Sequence, residues 1–378
     1  MMNIALYLKH FPAKGGPLKV GTNKAVHGMA MGLVANGARP TILCEGEQDS
    51  RFESEHGYRI QCFQTSARYR SFSVAPGLRD YVRDFKSGGL VVLNGMFHPG
   101  LFAVSRVLVE NKVPYVVAPH GFYHPRLFKK NAYLKWPYWY LVERRLLKGA
   151  KAVQYLGKSQ AKWSEKLGVN TLALEAPNGY APTDVVPESQ LEWRTQGPVR
   201  ILYWGRLDVY MKGLDLLLKA YAALTKNTQA KLVIQGPDWR GEKGYLESLA
   251  GAMLNTGNVQ ILPPEFVKPP PLQMIQHDIL CLPSRYEGFG LSALEAMLAG
   301  RVLLVSDSTG IAPHVEASGC GVVVEPTEEG VEEGLRSLIR RRAEWREMGL
   351  QGRRYVLERL NWDTIASELL TQYNQLLN

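Results

Sequence analysis

The sequence predicts an α/β protein with two Rossmann-like domains whose parallel sheets face each other across a cleft. With 378 residues the chain is longer than one ordinary core accommodates, which favours two domains. Apolar residues make up 46% of it and charged residues 21%, as is typical of a globular protein. Strand-sized apolar runs alternate with helical stretches in both halves, and this alternation indicates parallel sheets covered by helices on both faces.

The alternation can be followed along the chain in two copies. In the first half we predict strands at 4–8, 40–44, 90–93 and 115–118 and helices at 23–36 and 102–111. In the second half we predict strands at 200–205, 231–235, 279–283 and 301–306 and helices at 214–224 and 291–299. Four prolines between residues 176 and 198 interrupt a polar segment without sustained periodicity, so the domain boundary is predicted there.

Several classes of protein are disfavoured by patterns that the sequence lacks. The longest apolar runs fall far short of the ~18 residues of a membrane span. The chain opens on a strand pattern without a leader-type segment, so a cytoplasmic protein is expected. The four cysteines form no CxxC pair, which argues against a disulfide framework or a zinc site. The absence of a Walker phosphate loop and of GxGxxG after the first strand disfavours an NTPase and an NAD-dependent oxidoreductase.

The positive charge is concentrated in the first half of the chain. The net charge is +10; residues 1–185 hold 25 Lys and Arg against 12 Asp and Glu, whereas the remainder holds 20 against 23. Such a field attracts anionic partners, which include an acidic membrane surface, a lipid-phosphate substrate and nucleic acid. Basic and aromatic residues interleave at 128–151, where Pro137 is expected to interrupt any single long helix. This composition suits the inner face of a membrane or an acceptor-binding face.

The stretch SRYEGFGLSALEAMLAG, residues 284–300, combines a permissive backbone with two glutamates. A loop precedes Gly290, which opens a predicted helix. The start of a helix offers unpaired N–H groups and a positive dipole end, and Gly288 and Gly290 let a ligand approach that backbone, so the stretch is interpreted as an anion cradle. Glu287 and Glu295 would accept hydrogen bonds from a molecule with central phosphates and a sugar at each end, which describes a nucleotide sugar. Alternatively, both glutamates are solvated charges beside an ordinary strand–turn–helix.

Two cations follow the strand that ends at Gly205. Arg206 and Lys212 flank a predicted loop before an amphipathic helix, so both lie where the strand ends. A planar guanidinium and a compact ammonium together suit a diphosphate whose departure needs electrostatic support. Taken singly, each also fits a structural interpretation, with Lys212 as an exposed loop lysine and Arg206 as an ion-pair partner.

Short motifs occur in a fixed order along the chain. They are GG at 15–16, APHG at 118–121, PNG at 177–179, GRLD at 205–208 with KG at 212–213, QGP at 235–237 and PSRYEGFGLSALEAM at 283–297. In this order they resemble the family 4 retaining glycosyltransferases of the GT-B fold, and the resemblance spans nearly the whole chain. It implies an acceptor-side domain at 1–182, joined by the C-terminal helix 363–378, and a nucleotide-sugar-binding domain at 183–362.

The resemblance also implies roles for individual residues. Arg206 and Lys212 bind the donor diphosphate, Glu287 contacts the donor sugar, Glu295 holds the ribose, and His120 lies near the transferred sugar. The implied catalytic residues are His120, Arg206, Lys212 and Glu287. The implied donor-binding residues are Gly16, Arg206, Lys212, Gly236, Pro237, Glu287, Gly288, Phe289, Gly290, Leu291, Ser292 and Glu295.

The expected reaction is hexose transfer from a nucleotide-diphosphate sugar, with UDP as the expected nucleotide, to a hydroxyl of a glycan or lipid-linked acceptor in polysaccharide biosynthesis. No residue clearly qualifies as a carboxylate nucleophile for a glycosyl-enzyme intermediate, and the resemblance favours a same-face reaction instead. No Asp-x-Asp occurs in the chain, so neither a metal nor another cofactor is expected. The alternative is a nucleic-acid-binding or membrane-surface protein that uses the basic half without catalysis.

Overall fold

The chain forms two compact units. The computed structural model describes residues 2–12, 18, 20–65, 72–85, 88–121, 123, 128, 131–253 and 258–377. The first unit contains residues 1–179 and 362–378, and the second contains residues 180–361. Within the described ranges, no helix is both long enough and apolar enough to cross a membrane.

The N-terminal unit is built on an eight-stranded sheet. Its strands are β1 (Asn3–Tyr7), β2 (Thr41–Gly46), β3 (Ser50–Glu53), β4 (Arg59–Gln64), β5 (Gly89–Asn94), β6 (Tyr115–Ala118), β7 (Ala152–Tyr155) and β8 (Ala173–Glu175). They lie in the order β3-β4-β2-β1-β5-β6-β7-β8, and the neighbours are parallel except β3 and β4, an antiparallel edge pair. The strand order reverses between β1 and β5, so the carboxyl ends of these strands frame the place where such sheets bind ligands.

The last helix of the chain packs on the first one. The helices of this unit are Gly21–Ala35, Pro76–Arg83, Pro99–Glu110, Ala132–Tyr138, the π-helical Trp139–Glu143, Arg144–Gly149, Lys158–Lys166 and Trp362–Leu377. Gly28 and Gly32 leave room for Trp362, because a Cβ added at Gly28 would lie 2.0 Å from the Trp362 Nε1. Trp362 shares a buried core with Val26 and Leu33 on one face of the sheet.

The C-terminal unit is built on a six-stranded sheet with parallel neighbours. Its strands are β9 (Val199–Trp204), β10 (Ala230–Gln235), β11 (Val259–Leu262), β12 (Ile279–Leu282), β13 (Val302–Ser306) and β14 (Gly321–Val324), in the order β11-β10-β9-β12-β13-β14. Its α-helices are Val209–Lys212, Leu214–Leu224, Glu242–Met253, Pro270–Met274, Leu291–Leu298, Ala312–Ser318, Glu328–Arg340 and Trp345–Arg359. In the described ranges, 3₁₀ turns with defined bounds lie at Pro182–Asp184, Glu188–Gln190 and Arg342–Glu344. Here the strand order reverses between β9 and β12.

The helical segment continues past Pro137 but not as a single α-helix, so the expected interruption takes the form of a change of helix type one residue after the proline. Ala132–Tyr138 continues as a π-helical turn, Trp139–Glu143, and then as an α-helix. The proline removes a single backbone donor, and two residues later the Trp139 N–H again donates to a carbonyl four residues back.

The π-turn places an acidic side chain in the core of the N-terminal unit. Glu143 is fully buried, and its Oε1 accepts hydrogen bonds from the Tyr123 hydroxyl at 2.7 Å and from the Phe97 N–H at 3.1 Å. Both bonds favour the ionised carboxylate, but burial outweighs them and raises the pKa of Glu143 to about 7. The side chain therefore changes charge near neutral pH.

The substitution Glu143→Gln is expected to reduce the pH dependence of stability. Because the pKa of Glu143 is higher in the folded than in the unfolded chain, stability falls as pH rises from the ordinary value of 4.5 to about 7. Glutamine keeps the accepting oxygen and has no proton to lose, so near pH 8 the variant should be more stable by on the order of 2 kcal/mol. Urea unfolding near pH 5 and near pH 8 measures this difference. The exposed Glu165→Gln is the control, and an equal advantage of Glu143→Gln at both pH values would contradict the prediction.

Candidate anion-binding site

The loops that follow β9 and β12 form the candidate site of the C-terminal unit. The two strands are paired in parallel, with Ile279 opposite Ile201 and Leu280 opposite Leu202. Their carboxyl ends are therefore adjacent, at the position where the strand order reverses. In open parallel sheets this is the position at which ligands bind.

A lysine from one loop and a glutamate from the other form an ion pair. The Lys212 Nζ contacts Glu287 Oε2, and their side chains are only 15% and 20% exposed. Lys212 ends the short helix Val209–Lys212, where a loop was expected from the sequence. The Asp208 side chain caps this helix by accepting from the Met211 N–H at 3.1 Å. The lysine is therefore held in place by local helical structure.

The glutamate is held by backbone hydrogen bonds to the loop after β13. The Glu287 N–H donates to Ser308 O at 3.2 Å, and the Glu287 carbonyl accepts from the Gly310 N–H at 3.2 Å. These bonds form an isolated parallel bridge between Glu287 and Thr309. The carboxylate and the ammonium thus neutralise each other, and each is held in place by the local structure of its own loop.

A second cation lies beside this pair and is more accessible. The Arg206 guanidinium stacks 4.1 Å from the centre of the Trp239 ring, approaches Asp208 Oδ2 at 3.7 Å and is 44% exposed. The Tyr203 hydroxyl donates to the Arg206 carbonyl at 2.8 Å. Burial and the nearby charge of Glu287 raise the pKa of Tyr203, so the hydroxyl stays a donor. Stacking on an aromatic ring orients the guanidinium and leaves its N–H groups available to an anion.

The motif after β10 packs directly against the start of the Arg206 loop. A Cβ added at Gly236 would lie 1.8 Å from Gly205 O, so only glycine allows this approach. The Leu207 N–H donates to Pro237 O at 2.9 Å and extends the contact beyond the strands. Gly236 and Pro237 consequently lie next to Arg206.

The helix Leu291–Leu298 begins beside Glu287 with its first turn uncapped. Gly290 adopts a φ of 102° at the N-cap, no side chain caps the helix, and its first turn holds no acidic residue. Gly288, Leu291 and Ser292 are partly accessible, whereas Phe289 is buried and packs 5.8 Å from the His314 ring. Glu295 lies one turn into the helix and is 7% exposed. The free N–H groups of a helix start attract negative charge.

His120 lies in the N-terminal unit, after β6. Its Nε2 is 2.9 Å from Asn94 Oδ1, and the Asn94 Nδ2 donates to Tyr7 O and Val92 O, both at 3.2 Å. Because the amide nitrogen is used by these two carbonyls, Oδ1 is an acceptor and His120 Nε2 carries the proton. Burial lowers the pKa of His120 to about 4, so the ring is neutral near pH 7. Its Nδ1 has no hydrogen-bond partner among the described residues and is an acceptor.

The structure thus brings most of the predicted donor-binding residues together in one unit. Arg206, Lys212, Gly236, Pro237, Glu295 and the run 287–292 surround the carboxyl ends of β9, β10 and β12, whereas His120 belongs to the other unit. Gly16 lies outside the described residues. Asn94, Asp208 and Trp239 were not predicted from the sequence. Asp208 ends the GRLD motif and Trp239 follows the QGP motif by two residues, whereas Asn94 belongs to neither motif. In the described part of the chain, no group of three His, Cys, Asp or Glu side chains could hold a metal ion.

Both halves of the chain match families of glycosyltransferases. Residues 20–179 match the family described as Glycosyl transferase 4-like domain, and residues 190–355 match Glycosyl transferases group 1. An uncharacterized glycosyltransferase of Methanocaldococcus jannaschii is 32% identical over 46% of this chain and 44% of its own length. The chain thus spans under half the length of that relative.

Solved structures match the fold over essentially the full length. Sucrose-phosphate synthase from Thermosynechococcus elongatus superposes with a TM-score of 0.77 and 19% identity, covering 100% of this chain and 99% of that one. HepE of Anabaena in complex with UDP and glucose has a TM-score of 0.77 and 16% identity, covering 99% of this chain and 100% of that one. At these identities the likeness shows the GT-B fold.

The Lys212–Glu287 pair predicts opposite effects of two substitutions on anion binding. Glu287→Gln removes the carboxylate that occupies Lys212 and repels anions, so the affinity for inorganic pyrophosphate should rise about fivefold. Lys212→Ala should lower it, because the ammonium is lost. Isothermal titration with pyrophosphate measures both, with the exposed Glu358→Gln as the control. An unchanged or weaker affinity of Glu287→Gln would show that the pair does not compete with the anion.

Proposed function

Because the chain belongs to the family 4 glycosyltransferases of the GT-B fold, we propose that it transfers a hexose from a UDP-linked sugar to a hydroxyl of a glycan or glycolipid acceptor. In this proposal the configuration of the sugar is retained and no metal ion takes part. The observation that carries it is the convergence of Arg206, Lys212 and an uncapped helix start at the switch point of the C-terminal sheet. The HepE neighbour, solved with UDP and glucose, supports the choice of donor.

Each part of the donor has a matching group in the C-terminal unit. The diphosphate binds to Arg206, Lys212 and the N–H groups of residues 289–292, which together supply positive charge and fixed donors. Glu295 accepts from the ribose hydroxyls. Once the diphosphate occupies Lys212, the Glu287 carboxylate accepts from hydroxyls of the hexose.

The transfer itself needs stabilisation of the leaving group. The bond between the anomeric carbon and the diphosphate oxygen breaks, and the acceptor oxygen forms the new bond on the same face of the sugar. The acceptor proton passes to the departing diphosphate oxygen, and the two cations stabilise the negative charge that develops there. In this proposal His120 lies near the transferred ring and orients it.

A donor screen tests the proposal. UDP-glucose is expected to raise the melting temperature of the wild type more than GDP- or ADP-linked sugars do. A ligand stabilises the folded protein only if it binds, and more strongly the more tightly it binds. The double variant Arg206→Ala/Lys212→Ala should lose this shift, and its release of UDP from UDP-glucose should fall by about 10² or more.

The matched control is Arg354→Ala/Lys226→Ala, which removes the same two residue types from exposed positions of the same unit. It should retain both the thermal shift and the release of UDP. If none of the activated sugars stabilises the wild type, or if the double variant at residues 206 and 212 matches this control, the proposal is wrong.

Activity is expected to survive removal of divalent metals. The side chains of Arg206 and Lys212 supply the two positive charges that a metal ion gives to a diphosphate in metal-dependent transferases. Release of UDP should therefore be the same in excess EDTA as in Mg²⁺. A loss in EDTA that Mg²⁺ restores would show that the two cations do not suffice.

A further inference from the structure

A cluster of exposed apolar side chains lies on the first turns of the helical segment 132–149. Five of the fourteen exposed large hydrophobic residues in the described part of the chain fall within nine positions. They are Tyr133, Leu134, Trp136, Tyr140 and Leu141, exposed by 76, 58, 36, 56 and 59%, and we call them the aromatic face. Single exposed hydrophobic residues are ordinary, but a contiguous cluster of them marks a contact surface.

The buried side of the same segment fixes the orientation of the aromatic face. Trp139, Leu146 and Leu147 are at most 1% exposed, and Glu143 is anchored by its two hydrogen bonds in the core. These four positions point inward at helical spacing, so the segment cannot rotate its other side into the core. Glu143 and its neighbours thus hold the aromatic face outward.

Two of the three rings of the aromatic face, those of Trp136 and Tyr140, are already arranged in the absence of a partner. Trp136 stacks on Tyr140 with ring centres 6.0 Å apart and planes at 24°. On its other side Trp136 packs against the buried Phe128, with ring centres 4.6 Å apart. Little side-chain freedom is therefore lost when this surface binds.

The accessible charge carried by the segment that contains the aromatic face is of one sign. Residues 128–151 include seven lysines and arginines and a single acidic residue, Glu143, which is fully buried. Arg145, Lys148 and Lys151 are exposed at the C-terminal end of the segment. The surface therefore combines apolar side chains with accessible positive charge and presents no accessible carboxylate from this segment.

We propose that the aromatic face binds the surface of an anionic lipid bilayer. Tryptophan and tyrosine rings lie preferentially at the level of the lipid headgroups, leucines insert below them, and neighbouring lysines and arginines contact anionic headgroups. The exposed leucines favour a bilayer over nucleic acid, since they match neither phosphates nor base faces. The inference goes beyond the transfer reaction, because binding to lipid needs no sugar donor.

Co-sedimentation of the full chain with vesicles tests this surface. The wild type should bind vesicles of equal parts phosphatidylcholine and phosphatidylglycerol more tightly than vesicles of phosphatidylcholine alone. The triple variant Tyr133→Ser/Tyr140→Ser/Leu141→Ser should bind the anionic vesicles at least about tenfold more weakly. Its matched control, Phe72→Ser/Val109→Ser/Leu172→Ser, removes side chains of similar exposure from the same unit and should bind as the wild type does.

Charge reversal gives an independent measure. Arg145→Glu/Lys148→Glu should weaken binding to the anionic vesicles by about tenfold or more, whereas the exposed pair Lys162→Glu/Lys166→Glu should change it little. The inference is overturned if the wild type does not bind, if a control loses as much binding as its test variant, or if charge reversal has no effect. It is also overturned if the face variants lose binding to duplex DNA but not to vesicles.

The proposed transfer reaction and the proposed lipid surface are tested by independent measurements. The thermal shift with UDP-glucose is measured without lipid, so a face variant that keeps this shift while losing vesicle binding shows that the fold and the donor site are intact. A wild type that binds vesicles but no activated sugar would overturn the proposed reaction and leave the lipid surface in place.

Discussion

The parallel pairing of β9 with β12 is the constraint on which the candidate site depends. The strand order of the sheet reverses between these two strands. The connections that leave their carboxyl ends therefore cross over to opposite sides, and the two loops border a shared ligand position. The loop after β9 brings Arg206 and Lys212, and the loop after β12 brings Glu287 and a helix start. The Lys212–Glu287 ion pair thus takes its ammonium from one loop and its carboxylate from the other.

Once the two loops are adjacent, their charges must be balanced in the absence of a ligand. A half-buried ammonium without a partner is costly, and Glu287 offsets that cost by pairing with Lys212. The same pairing means that an incoming anion has to displace a carboxylate from Lys212, whereas Arg206, stacked on Trp239, is accessible at once. In the proposed function the guanidinium is therefore the first contact for the diphosphate and the ammonium the second.

The fold class could be predicted from the sequence because buried parallel strands are continuous apolar runs, and the elements that were predicted lie within three residues of the observed ones. The strands that were not predicted include β3 and β11, which are partly exposed and in which polar residues break the apolar run. In the site, motif glycines and charges were visible, but partnerships between distant residues were not. The hydrogen bond of Asn94 to His120 joins positions 26 residues apart, and the Lys212–Glu287 pair joins positions 75 apart. Such contacts follow from strand order, which local spacing does not encode.

Burial differs between the cations of the C-terminal unit and the histidine of the N-terminal unit, and so do their charges. The C-terminal unit keeps Arg206 and Lys212 at least partly accessible, as the proposed stabilisation of a leaving diphosphate requires. The N-terminal unit instead contributes a histidine whose pKa burial lowers to about 4 and whose protonated nitrogen Asn94 specifies. In the proposed reaction the sugar becomes positively charged as the diphosphate departs, so a cation beside the ring would oppose the step that Arg206 and Lys212 favour. In that proposal a neutral His120 avoids this repulsion, so the burial that lowers its pKa favours the transfer as well as the packing.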